Sequence, residues 1–188
     1  MKFRYILFLC VIAVCCYWVI LPVHSSETEA KITDFLVTST EDSVLVFAKV
    51  TDCFTTDMEK AIFAGIPTTF TFFIHLYQER SYWWDKKLAA IEISQTIKYN
   101  RVRQTFYVFS ADGKFTAFHD FARAKTAVTE LNGVALSSLR CLKKGEGYYV
   151  MIKAGLKKEK LPWHLEYLFP FVSLWNFETK WHRQPFVY

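Results

Sequence analysis

The side chains that most often do chemistry are sparse in this sequence and poorly spaced for it. His24, His75, His119, His164 and His182 stand apart from one another, with no His-Glu-x-x-His, no paired Cys-x-x-Cys and no calcium-type acidic loop. There is no Gly-rich phosphate loop and no Gly-x-Ser-x-Gly elbow. Cys53 could serve as a nucleophile only if exposed beside a base, and no neighbouring residue offers one. Carboxylate pairs in an apolar setting that would raise a pKa are also missing. The pattern predicts no catalytic residue, no metal site and no cofactor.

What stands out is aromatic content, 18% of the chain. It gathers at Tyr82-Trp83-Trp84, over residues 163–171, and at Trp175, Phe177 and Trp181. On an alternating strand Trp175, Phe177, Thr179 and Trp181 share one face, which fits core filling. Trp83 and Trp84 differ, because adjacent strand residues point to opposite faces. At least one indole is therefore expected outside, with Arg80 and Asp85 at its rim. Exposed aromatics beside an Arg are typical of binding anchors and of membrane-interface belts. Arg80, Trp83, Trp84 and Asp85 form the candidate binding site.

Two short amphipathic helices and a series of alternating segments must position that site. Thr56 and Glu59 read as a capping box opening a helix that stops at Gly65, with Pro67 close behind. A second helix begins near His119 or Asp120, aligns Phe121, Ala124, Val128 and Leu131, and ends at an Asn132-Gly133 cap pair. Period-two alternation predicts strands over residues 32–38 and 44–50 with a polar turn between them. In the next alternating run Phe70, Phe72, Ile74 and Leu76 share one face; Ile91, Ile93, Ile97 and Tyr99 follow in another. Residues 105–109 lead into a turn at Asp112-Gly113. Segments 134–142 and 148–154 read as a hairpin across Gly145 and Gly147, and 174–182 as the last strand. The expected class is α+β, mainly antiparallel β: a β-sandwich or open barrel of about eight strands with two short helices.

The chain has 188 residues, room for one domain over residues 27–188 once the first 25 are set aside. Lys2 and Arg4 precede an uncharged apolar run over residues 5–23. Basic residues before an apolar run read as an export signal. The run exceeds an ordinary signal core and nears the ~20 residues that span a bilayer, so residues 1–25 are a cleaved signal peptide or a retained signal anchor. Either way the rest is expected outside the cytoplasm, in the periplasm or at the periplasmic face of the inner membrane. The net charge of +5 is dispersed rather than gathered into a stripe, which argues against nucleic acid. Cys53 and Cys141 are two cysteines in an oxidising compartment, which permits a disulfide; two free thiols are the alternative.

Several short motifs together resemble a known family. They are Ala64-Gly65-Ile66-Pro67, the run from Glu79 through Arg80, Ser81, Tyr82, Trp83 and Trp84 to Asp85, Ile97-Lys98-Tyr99, Leu161-Pro162, and Trp175 with Thr179-Lys180-Trp181. In order and spacing they resemble exported bacterial proteins defined only as a domain of unknown function, number forty-three ninety. The resemblance implies an envelope protein without an established activity, and gene neighbourhood with membrane sensor kinases. The expected function is thus a non-enzymatic envelope module that binds another protein, as a signalling accessory. A carrier or sensor of an apolar small molecule held by aromatic side chains is the alternative, and an envelope hydrolase comes third.

Overall fold

Alternation sets the first pair of strands. In the computed structural model, which describes residues 29–156 and 177–188, β1 (Lys31–Ser39) and β2 (Ser43–Thr51) form an antiparallel hairpin. The Thr40 N–H donates to the Ser43 carbonyl at 2.9 Å and closes the turn. Val44, Val46, Ala48 and Val50 of β2 all point inward. The segment over residues 1–25, the cluster over 163–171 and Trp175 lie outside the described residues.

Between β2 and the next strand lies α1 (Thr56–Phe63). Its N-cap is Thr55, one residue before the expected Thr56: the Thr55 hydroxyl accepts from the Met58 N–H at 3.3 Å, while Thr56 is already helical. Both threonines offer the same oxygen, and the extended backbone of Thr55 decides which one caps. The helix closes as expected at Gly65. Its N–H bonds the Ile62 carbonyl and the Ile66 N–H bonds the Ala61 carbonyl, a Schellman pair that places Gly65 at φ +92°.

The central strand β3 (Thr68–Gln78) buries Phe70, Phe72, Ile74 and Leu76 completely. It pairs antiparallel with β4 (Lys86–Asn100) and with β8 (Gly147–Leu156). Outward from β4 come β5 (Thr105–Phe109) and the short β6 (Phe115–Phe118), while β9 (His182–Val187) flanks β8. The order β6-β5-β4-β3-β8-β9 makes one six-stranded sheet. β7 (Glu130–Ser138) pairs with β2 instead and completes a three-stranded sheet, β1-β2-β7. Val44 and Val46 from one sheet, Phe70, Phe72, Tyr148 and Ile152 from the other, and Ala124 and Val128 from α2 (Phe121–Thr129) share one hydrophobic cluster. The fold is a mainly antiparallel, sandwich-like α+β arrangement of nine strands and two helices among the described residues.

Three expectations are corrected. Segments 134–142 and 148–154 do not form a hairpin: a 3-10 turn, Leu139–Cys141, carries the chain from one sheet to the other, and Leu139 and Leu142 are buried on the way. The second helix is capped by Asp120 as expected, but it ends at Thr129 and runs directly into β7. Asn132-Gly133 is therefore no helix cap. It lies in β7 where the register against β2 shifts, and Gly133 at φ +69° supplies the local kink of a bulge. The final strand starts at His182 rather than ending there. Pro185 is tolerated because β9 is an edge strand, where a missing N–H need not break a ladder.

Candidate functional site

The connection between β3 and β4 spans residues 79–85. It holds Tyr82, Trp83 and Trp84 clear of the protein, with 95%, 77% and 90% of their surface exposed. The sequence called for at least one external indole, and the structure exposes both, because both lie in the connection beyond the strand ends. Facing residues no longer alternate there, so neither ring is drawn into the core.

The base of this tip is clamped. The Arg80 N–H donates to Asp85 Oδ1 at 3.1 Å, closing the loop on itself. The Tyr149 hydroxyl of β8 donates to Asp85 Oδ2 at 2.8 Å. The Glu79 N–H donates to the Gly147 carbonyl at 2.9 Å, and the Glu79 carboxylate pairs with Arg183 of β9. Gly147 gives the Glu79 side chain room: a Cβ there would come within 2.9 Å of Glu79 Oε2, and the carboxylate would have to shift. Asp85 is thus not simply at a rim; both its oxygens are engaged within the domain.

Behind the clamp runs a row of side chains across four strands. Tyr77 and Tyr149 are register partners and stack with ring centres 5.1 Å apart, nearly parallel. The Arg183 guanidinium lies 3.8 Å over the outer face of Tyr149, and Lys87 Nζ lies 5.6 Å from the centre of Tyr77. Such cation–ring contacts add to rigidity as well as energy. Burial first, then the bond to Asp85 and its negative charge, push the Tyr149 hydroxyl up to about 12. Tyr149 thus keeps the proton it donates to Asp85 well above neutral pH.

Nearby, His75 packs against Trp181 at 4.8 Å, and Lys153 lies over the rings of Trp181 and Phe73. Burial, then Lys87 and Lys153, hold the His75 pKa below its ordinary value. Trp181 is consequently on the outer face rather than in a shared core row. Phe177 packs instead on Phe70, with ring centres 5.8 Å apart, and Thr179 is buried, its hydroxyl accepting from the Ala154 N–H.

Cys53 is a buried free thiol and Cys141 an exposed one, so the permitted bridge is not formed. They reside in different surroundings, beyond β2 and in the turn after β7, and burial pushes the Cys53 thiol up to about 12. Among the described residues no group of three or more His, Cys, Asp and Glu could hold a metal, and no helix is long and apolar enough to cross a membrane. A groove of about 190 Å³ runs past Thr71, Phe73, Glu92 and Glu178. A second, of about 430 Å³, lies along Phe118, Ala122, Thr126 and Asn132.

Sequence reasoning found Arg80, Trp83, Trp84 and Asp85, and the structure brings all four into one loop. It missed Tyr77, Glu79, Tyr149 and Arg183 as supports, since Tyr149 and Arg183, which give Tyr77 and Glu79 their partners, come from β8 and β9, far along the chain. A family model described as a domain of unknown function (DUF4390) matches residues 27–185. No curated protein and no solved structure matches the chain.

Proposed function

The chain belongs to the DUF4390 family, and from that premise we propose that it is a non-enzymatic, extracytoplasmic module of a bacterial envelope that works by contact, with the tip over residues 79–85 as its contact element. The observation that supports this most is the exposure of Tyr82, Trp83 and Trp84 on a clamped base. Three large apolar rings held in water are unfavourable for the isolated domain, and pre-ordering them lowers the cost of binding. The apolar run over residues 5–23, as signal or as anchor, would bring the domain to the far side of the inner membrane. There it would act as an accessory to other envelope components.

The carrier alternative asks for aromatic side chains lining an interior space. Phe70, Phe72, Ile74 and Leu76 instead bury one another in the common cluster, and the tip indoles face outward. The contact reading therefore ranks first. Its test is a photo-crosslinking amino acid in place of Tyr82 in intact cells, with the equally exposed Val102 as the control position. Discrete adducts are expected from position 82, absent from position 102, and abolished by W83A/W84A. Equal adduct patterns from the two positions would sink the proposal.

A further inference from the structure

Three exposed cations that border the tip in the chain lack carboxylate partners. Arg80, Lys86 and Lys87 flank Tyr82, Trp83 and Trp84, and among the described residues none of the three forms an ion pair. The neighbouring carboxylates are already engaged: Asp85 by the Arg80 N–H and the Tyr149 hydroxyl, Glu79 by Arg183. Asp85 accepts only from neutral donors and keeps its charge, so with the Glu79–Arg183 pair set aside Arg80, Lys86 and Lys87 outnumber the one remaining carboxylate beside the aromatic wedge three to one.

Two indoles and a phenol have apolar bodies and polar edges, the combination that settles at the level of lipid headgroups. An excess of lysine and arginine over carboxylate beside them favours anionic headgroups. A protein partner would need a concave pocket surrounding a projecting loop, whereas a fluid bilayer accommodates a wedge without a preformed pocket. Resting on the contact reading above, we infer that the surface contacted by the tip is an anionic lipid bilayer, with Trp83 and Trp84 seated at the headgroup boundary and Arg80, Lys86 and Lys87 on lipid phosphates. The tip then attaches the domain to the membrane whether the N-terminal segment is cleaved or kept as an anchor, and the domain lies against the surface in a set orientation.

The test uses the full-length chain reconstituted into phosphatidylethanolamine–phosphatidylglycerol vesicles whose acyl chains carry bromine near the headgroup. Phosphatidylcholine vesicles with the same label run in parallel. Bromine quenches indoles that it touches. Quenching is expected to contain a component that disappears in W83F/W84F and is weaker in phosphatidylcholine. It should also fall in R80Q/K86Q/K87Q, each neutralised cation costing about fivefold in surface partitioning. Thermal midpoints equal to that of the native chain confirm that each variant is folded. Identical quenching in the native chain and W83F/W84F overturns the inference. In that case the crosslinker at position 82 separates the two readings: adducts with a protein leave the contact element standing with a different partner, and no adduct removes both.

Discussion

The Tyr149 hydroxyl donates to Asp85 Oδ2 at 2.8 Å, joining the start of β8 to the last residue of a loop that begins at Glu79. Tyr149→Phe keeps the ring, its stack on Tyr77 and its contact with Arg183, and removes only this bond. We expect a loss of about 1 kcal/mol in denaturant unfolding, since Asp85 regains water when the loop opens. Trp83 and Trp84 should gain mobility, read as lower fluorescence anisotropy. Unchanged anisotropy would mean that the Arg80–Asp85 bond alone holds the tip.

The same bond has a pH signature. The Tyr149 hydroxyl titrates at about 12 in the folded protein, above the ~10 of an unfolded tyrosine. Its contribution to stability is fully present below pH ~10 and is lost as pH rises towards 12, because the unfolded state releases its proton first. The stability gap between the native chain and Tyr149→Phe should therefore narrow over that interval. A gap constant from neutrality to pH ~12 would contradict the assignment of Tyr149 as the donor.

Trp83→Ala and Trp84→Ala should each leave unfolding free energy within ~0.5 kcal/mol of the native value, as surface changes do. Phe72→Ala, by contrast, opens space beneath the central strand and should cost ~3–5 kcal/mol. Strong destabilisation by both tip substitutions would show that the rings serve the core.

At the start of α1 the order of effects distinguishes the two threonines. Thr55→Ala removes the acceptor for the Met58 N–H and should cost ~0.5–2 kcal/mol. Thr56→Ala should cost less, since its hydroxyl makes no cap. Paired urea titrations decide between them, and the reverse order would move the helix start.

The thiols should differ sharply in reactivity. Cys141 is exposed and should alkylate in the native protein; Cys53 is buried, titrates near 12, and should react only on unfolding. Mass mapping of the two cysteine-containing peptides after brief iodoacetamide treatment checks this. Rapid labelling of Cys53 would indicate that the region behind α1 opens readily.

Local pattern was enough to identify most elements. Alternation marked the buried row of Phe70, Phe72, Ile74 and Leu76, because a strand that buries one face must repeat every second residue. The same reasoning found β2, β5 and the first hairpin, and side-chain oxygens marked helix starts to within one residue. It also placed at least one of Trp83 and Trp84 outside the core, since neighbouring strand residues cannot share a face; that both are outside came from the loop. These features depend on residues close in the chain, and the sequence alone determined them. Pairing partners depend on distant residues. Val134 and Tyr148 are separated by a turn that looks like a hairpin, yet burial of Leu139 and Leu142 sends the chain across to the other sheet. Asn132-Gly133 has the same backbone preference in a helix cap as in a bulge, and only the pairing of β7 with β2 chose between them. The clamp that joins Glu79, Asp85, Tyr149 and Arg183 was likewise decided by tertiary structure, because its geometry exists only once β3, β8 and β9 lie side by side.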